Sequence, residues 1–173
     1  LPQVLPRAPE PLAFFGHSMG AMVAHEVARQ MVARQSPAPI WLGASGHRAP
    51  SCARQAGDAL HPLPDEFLVD RLQRLGALPP HAITADYLRL MRADLRACET
   101  HHVADSAPKD ALPCALSTFA GDADPMARPQ DMQPWSHQVS GTVRHHVLSG
   151  GHFFLAGVRR RQVIDLIVQD VEH

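Results

Sequence analysis

Cysteine is scarce in this sequence of 173 residues. Its three cysteines, Cys52, Cys98 and Cys114, are widely spaced, and no two of them form a Cys-x-x-Cys pair. An odd number of separated cysteines predicts neither a disulfide framework nor a zinc site. A protein without disulfides suits a reducing compartment, and we therefore expect a cytoplasmic location.

Histidine, in contrast, is plentiful, with 12 residues. Two adjacent pairs, His101/His102 and His145/His146, stand out as candidate metal ligands. Neighbouring side chains on one strand or helix point apart, and they rarely share a metal ion. We therefore expect no metal site.

An excess of charge of one sign and long apolar runs are also missing. The formal net charge is -1, and the longest basic run is Arg159 to Arg161, too short for the concentrated basic face that phosphate binding requires. Apolar stretches such as Leu12 to Phe15 fall far below the roughly 20 residues of a membrane-spanning helix. These absences exclude a nucleic-acid partner and a membrane segment from the prediction.

The first eleven residues, LPQVLPRAPEP, contain four prolines and show no hydrophobic periodicity. They predict neither a signal peptide nor an opening strand. Because the chain also starts with Leu1 in place of methionine, we expect an N-terminally truncated domain.

From Leu12 onward, short apolar segments alternate with segments of helical periodicity, which predicts one α/β domain with a mostly parallel sheet. In the first helix, Val23, Val27 and Met31 recur every four residues on one face. Two helices fall between the second and third strands, where a small lid over about residues 60–100 would be inserted. The predicted strands are 12–15, 40–44, 114–120 and 142–148, and the predicted helices are 20–34, 65–75, 84–98 and 158–171.

The segment Gly16-His17-Ser18-Met19-Gly20 lies between the first strand and the first helix. A G-x-S-x-G pattern in that context is typical of a nucleophile elbow, a tight strained turn that presents a serine hydroxyl at a helix N-terminus. The amide of Met19 would donate to a developing oxyanion there. The alternative is an ordinary glycine-flanked turn in which Ser18 caps the helix.

A serine hydroxyl needs a base, and in this arrangement the order along the chain is serine, acid, histidine. His152 follows the last strand in Gly150-Gly151-His152, where two glycines allow the loop to bend back over the sheet. We predict His152 as the base. His17 is a weaker rival, because it flanks the serine and would point away from it, and a plain loop histidine remains the alternative for His152.

The acid is expected at the end of the third predicted strand, in Gly121-Asp122-Ala123-Asp124-Pro125. An aspartate directly after the glycine commonly stabilises the turn itself. The later residue lies on the outward part of the loop, where Pro125 keeps it extended. We therefore predict Asp124 in preference to Asp122. The loop after the second strand, residues 43–50, contains no carboxylate that could replace it.

Several strings in this order resemble type II, editing thioesterases of polyketide and nonribosomal peptide assembly lines, and mammalian fatty-acid chain-terminating thioesterases share the pattern. The resemblance runs from Leu12 to the end of the chain. Its strings are FFGHSMGAMVAHEVAR (14–29), SGHRAP (45–50), LPDEFL (63–68), LRLMRADLRACET (88–100), GDADP (121–125), Trp135 and GGHFFL (150–155).

The resemblance implies an α/β-hydrolase fold with a small helical lid but without the N-terminal strands. It also implies a serine hydrolase that cleaves acyl thioesters, with Ser18 as nucleophile, Asp124 as acid, His152 as base and Met19 as an oxyanion donor. The acyl group would arrive on the phosphopantetheine arm of an acyl or peptidyl carrier protein, with no cofactor bound by the enzyme.

Two other interpretations stay open at this point. The chain could be another α/β-hydrolase, either an esterase or a terminal cyclising thioesterase. It could also be a truncated remnant without activity, because family members have strands before the elbow strand that supply a second oxyanion donor. On that account we expect residues 1–173 alone to be poorly soluble and at most feebly active.

Overall fold

Four parallel strands form a single sheet in the order β1-β2-β3-β4. The computed structural model describes residues 10–52, 59–75, 84–101, 111–156 and 159–172. The strands are β1 (Ala13–His17), β2 (Trp41–Ser45), β3 (Ala115–Gly121) and β4 (Val143–Leu148). Because all four run in the same direction, their carboxyl ends meet at one edge of the sheet, and the loops that carry the predicted site residues start there.

The helices follow the predicted segments closely. Their bounds are α1 (Met19–Ala33), α2 (Asp65–Arg74), α3 (Ala85–Thr100), a short α4 (Pro129–Met132) that continues into a 3-10 helix (Gln133–Gln138), and α5 (Arg160–Glu172). Thr84 caps α3, and its side chain accepts a hydrogen bond from the amide of Tyr87. Three parts of the sequence-based predictions lie outside the described residues: the start of the last helix at Val158, the second histidine of the His101/His102 pair, and residues 1–9.

Apolar side chains cover both faces of the sheet. Leu42 and Leu116 belong to a cluster with α1, α4 and the 3-10 helix, whereas Trp41 and Phe119 belong to a second cluster with α5. Adjacent residues of a strand point to opposite faces, so neighbouring positions fall into different clusters. This layering explains why the two central strands, β2 and β3, are buried along almost their whole length.

The buried face of α1 differs from the predicted one. Val23 is 46% exposed, and the buried residues of α1 are Ala21, Met22, His25, Ala28 and Met31. Two alanines at this face let the helix lie close to the sheet. His25 packs edge-on against Trp135, and burial lowers its pKa to about 4, so the ring is neutral and fits an apolar surface.

Helices α2 and α3 pack against each other in a third apolar cluster, separate from the two at the sheet. A polar contact fixes their connection to the segment before α2. The Glu99 side chain, which is 1% exposed, accepts hydrogen bonds from the amides of Leu60 and His61 and lies 2.6 Å from His61 Nδ1. Arg92 donates to the carbonyls of His61 and Leu63. These bonds hold residues 60–64 against α3.

Candidate active site

Ser18 lies in the turn from β1 to α1 with φ 54° and ψ -124°. A non-glycine residue with positive φ costs of order 1–3 kcal/mol and requires support from its surroundings. Part of that support is a hydrogen bond from the Ser18 amide to the carbonyl of Ser45 on β2, at 2.8 Å. The Ser18 side chain makes no capping bond to α1. The hydroxyl is therefore available for other chemistry, and the capping-serine alternative is wrong.

Gly16 allows the close contact between β1 and α1 that forms this turn. A Cβ placed on Gly16 would lie 2.1 Å from the carbonyl oxygen of Gly20, a distance at which backbone must move. A Cβ on Gly20 would meet nothing within 4 Å. The two glycines of the motif thus have different roles. Position 16 has no room for a side chain, because it packs against the Gly20 carbonyl, whereas position 20 has room for a Cβ.

This difference predicts opposite effects on stability. Gly16→Ala is expected to lower the free energy of unfolding by about 3 kcal/mol or more, because the added methyl group overlaps helix backbone. Gly20→Ala is expected to be neutral or slightly stabilising, because alanine favours a helix over glycine by up to roughly 1 kcal/mol. Urea denaturation of the two variants in parallel checks the pair. Equal losses would contradict the packing argument.

His152 brings the far end of the chain to Ser18. The imidazole is 4% exposed, and its Nε2 lies 3.1 Å from Ser18 Oγ. Its Nδ1 lies 2.9 Å from Asp124 Oδ2. Because a carboxylate only accepts hydrogen bonds, Nδ1 carries the ring proton and Nε2 is left to accept the Ser18 hydroxyl. This is the tautomer in which an imidazole removes a proton from serine.

Asp124 and Asp122 have separate partners. One carboxylate oxygen of Asp124 accepts from the amides of Met126 and Ala127, at 2.8 and 3.3 Å, which leaves the other oxygen facing His152. Asp122 accepts from the amide of Gly150 at 2.9 Å and so ties the β3 loop to the loop that carries His152. The structure therefore brings Ser18, His152 and Asp124 into one hydrogen-bonded chain and places Asp122 in the turn.

The rival histidine, His17, does not contact the serine hydroxyl. Its Nδ1 lies 2.9 Å from Ser45 Oγ. The pKa of His17 is lowered to about 4, chiefly by burial and then by the nearby His152, although Asp124 and the His152 carbonyl oppose the shift. His17 is thus a neutral, partly buried ring with its own partner, and the geometry favours His152 as the base.

A cavity of about 310 Å³ opens beside Ser18, a size within the range of small-ligand sites. Met19, the first residue of α1, lines it together with Ser18 and His152. The first amides of a helix have no partner within the helix, so the Met19 amide is available at the wall of this cavity.

Sequence reasoning missed most of the cavity wall. Tyr87, Met91, Leu95 and Cys98 recur at helical spacing and line one side of the cavity from α3. The sequence signal for this face was a run of apolar residues three or four apart, which is also what a plain core helix shows. Other missed lining residues are His47, Arg48, Asp94, Met126 and Phe153.

Trp135 supports the cavity wall through the loop after β2. The residue is fully buried, and its Nε1 donates to the carbonyl of His47 at 2.8 Å. This bond fixes the loop after β2, which places His47 and Arg48 at the cavity wall. The structure thus gives a physical reason for the tryptophan that the sequence singled out.

Two features of the described residues bear on other functions. In those parts of the chain, no group of three or more His, Cys, Asp or Glu side chains could hold a metal ion. The adjacent pair on β4 points apart: His145 contacts Thr118, whereas His146 pairs with Asp170 on α5. Among the helices described here, none is long and apolar enough to cross a membrane.

The thioesterase domain family matches residues 1–170. The chain belongs to this family. A similar curated relative is Thioesterase PikA5 of Streptomyces venezuelae, which is 38% identical over 149 residues, covering 83% of this chain and 51% of the relative.

Solved thioesterase structures have the same fold. The thioesterase RedJ from the prodiginine pathway of Streptomyces coelicolor is 36% identical with a TM-score of 0.80, covering 91% of this chain and 62% of that one. The type II thioesterase BorB from the borrelidin biosynthetic cluster is 32% identical with a TM-score of 0.75, covering 96% and 64%. The predicted α/β-hydrolase fold is confirmed. The thioesterase domain described here spans about half the length of the curated relatives it matches.

Proposed function

We propose that the protein is an editing, type II thioesterase, which hydrolyses acyl thioesters on the phosphopantetheine arm of carrier proteins in polyketide, nonribosomal peptide or fatty-acid biosynthesis. The observation that carries the proposal is the hydrogen-bonded chain from Ser18 through His152 to Asp124 beside a cavity, in a chain of the thioesterase family. The reaction would need no cofactor beyond the arm that carries the substrate.

In the first half of the reaction, Ser18 Oγ attacks the thioester carbonyl carbon and transfers its proton to Nε2 of His152. Asp124 stabilises the imidazolium that forms and keeps the ring oriented. The negative charge on the carbonyl oxygen falls at the N-terminus of α1, where the Met19 amide donates to it. When the intermediate collapses, the carbon–sulfur bond breaks, His152 returns the proton to the leaving sulfur, and an acyl-Ser18 ester remains.

Water completes the reaction. His152 removes a proton from the water molecule as it attacks the acyl-Ser18 carbonyl, and then protonates Ser18 Oγ as the ester bond breaks. The products are the free acid and the carrier thiol. The acyl chain would lie in the cavity lined by Met19, Met91, Leu95 and Phe153, whose apolar side chains suit a hydrocarbon group.

A thioester preference alone does not identify a carrier-dependent enzyme, because thioesters are easy acyl donors for any serine hydrolase. We therefore expect the intact protein to hydrolyse an acyl-carrier protein with a kcat/KM at least about tenfold above that for the matching acyl-pantetheine, corresponding to about 1.4 kcal/mol of additional transition-state binding. The oxygen ester of the same acid serves as the control. Equal values for all three substrates would favour a general esterase.

A further inference from the structure

His17 has a fixed place at the end of β1, next to Ser18. Its register partner across the sheet is Ser45 on β2, and its Nδ1 lies 2.9 Å from Ser45 Oγ. The following residue, Gly46, has φ 57°, and a Cβ there would lie 2.5 Å from His17 Cε1. The imidazole is therefore held by a hydrogen bond on one side and fitted against backbone on another.

The next neighbour of the His17 ring is the catalytic histidine. The ring centroids of His17 and His152 are 5.0 Å apart, with an angle of 44° between the ring planes. Phe154 lies edge-on to His17 at 5.8 Å, and Phe153 lies 6.2 Å away. His17 thus packs against the base, while the two ring nitrogens of His152 face Asp124 and Ser18.

The charge state of His17 suits this place. With its pKa lowered to about 4, chiefly by burial, the ring is neutral at neutral pH and adds no positive charge beside the imidazolium that forms on His152 during catalysis. The titratable groups that act on it are His152 and Asp124, and Arg48 and Asp94 line the same cavity. A positively charged side chain at position 17 would oppose the proton transfer.

We propose that His17 is a positioning residue. Its neutral ring, held by the hydrogen bond to Ser45, packs against the His152 ring, limits its rotation and keeps water from that side of it. The proposal rests on the proposed triad, but not on the class of acyl substrate. It predicts that losing the contact between His17 and His152 lowers the reactivity of Ser18 even when every triad residue is present.

The test measures how fast a fluorophosphonate labels Ser18 as a function of pH, because labelling depends on an activated serine and not on the natural substrate. His17→Ala is expected to lower the maximal labelling rate between about tenfold and 100-fold, the cost of a misplaced reacting group. Because the acid limb of the profile follows protonation of the base, water admitted to that side of His152 is expected to move the limb. A residue that only stabilised the fold would leave that limb in place.

Ser45→Ala provides a second variant that leaves the elbow intact, because the Ser45 carbonyl that holds the Ser18 amide is unchanged. It should reduce the labelling rate by a smaller factor and move the acid limb in the same direction. The double variant should have the same labelling rate as His17→Ala alone, since both changes break one interaction.

If His17→Ala does not fold, the pH profile of Ser45→Ala decides. An unmoved acid limb in either folded variant, or additive losses in the double variant, would overturn the proposal. Normal labelling without thioester hydrolysis would reject only the proposed function.

Discussion

Replacing either Ser18 or His152 by alanine is expected to lower kcat for thioester hydrolysis by a factor of about 10⁴ to 10⁶. Without Ser18 no acyl-enzyme can form, and without His152 the hydroxyl keeps its proton at neutral pH. The double variant should lose no more than the worse of the two, because residues of a triad act as a unit. The measurement is the appearance of free carrier thiol over time.

His146→Ala is the matched control for the histidine. His146 also pairs with a buried aspartate, with its Nε2 2.6 Å from Asp170 Oδ2, but this pair joins β4 to α5 and is not among the residues that line the cavity. Its loss should affect stability and leave kcat within a few-fold, measured well below the melting temperature. A His152→Ala protein that turns over at a rate similar to His146→Ala would contradict the assignment of the base.

The second large effect concerns the acid. Asp124→Asn is expected to lower kcat by about 10⁴, because an amide presents its N–H₂ group to His152 Nδ1 and favours the wrong tautomer. Asp122→Asn keeps an oxygen that can accept from the Gly150 amide, so we expect a loss below about tenfold, most of it through the position of the loop. Steady-state kinetics on both variants distinguish the two aspartates.

The reverse ranking would show that Asp122 is the acid and that the contact between Asp124 and His152 does not operate in the reaction. Near-equal and small losses would mean that neither carboxylate supports the base. Both outcomes can be separated from misfolding, because Asp124→Asn also keeps an oxygen for the amides of Met126 and Ala127.

Local patterns in the sequence indicated the proposed triad because each of its members follows the end of a strand. The elbow depends on one glycine that lets strand and helix approach, and the loops of Asp124 and His152 begin where β3 and β4 end. In a parallel sheet those ends meet, so the order of motifs in the sequence was enough to bring three distant residues together. The choice between two aspartates also followed from local turn chemistry.

Contacts between separate elements could not be predicted in this way. The side of α1 that is buried depends on which layers cover the sheet, and His25 would not be placed in a core from composition alone, because its neutrality is a result of burial. Likewise, the packing of His17 against His152 requires the loop of the last strand to fold over the first. A local sequence pattern does not specify a contact between two segments that are distant in the chain.

Mass-spectrometric mapping of a fluorophosphonate adduct tests the central claim most directly. We expect one adduct per chain of the intact protein, on the peptide that contains Ser18, and slower labelling when an acyl-carrier thioester competes for the site. We expect no labelling of Ser18→Ala. An adduct on a different serine, or labelling that survives Ser18→Ala, would contradict the account.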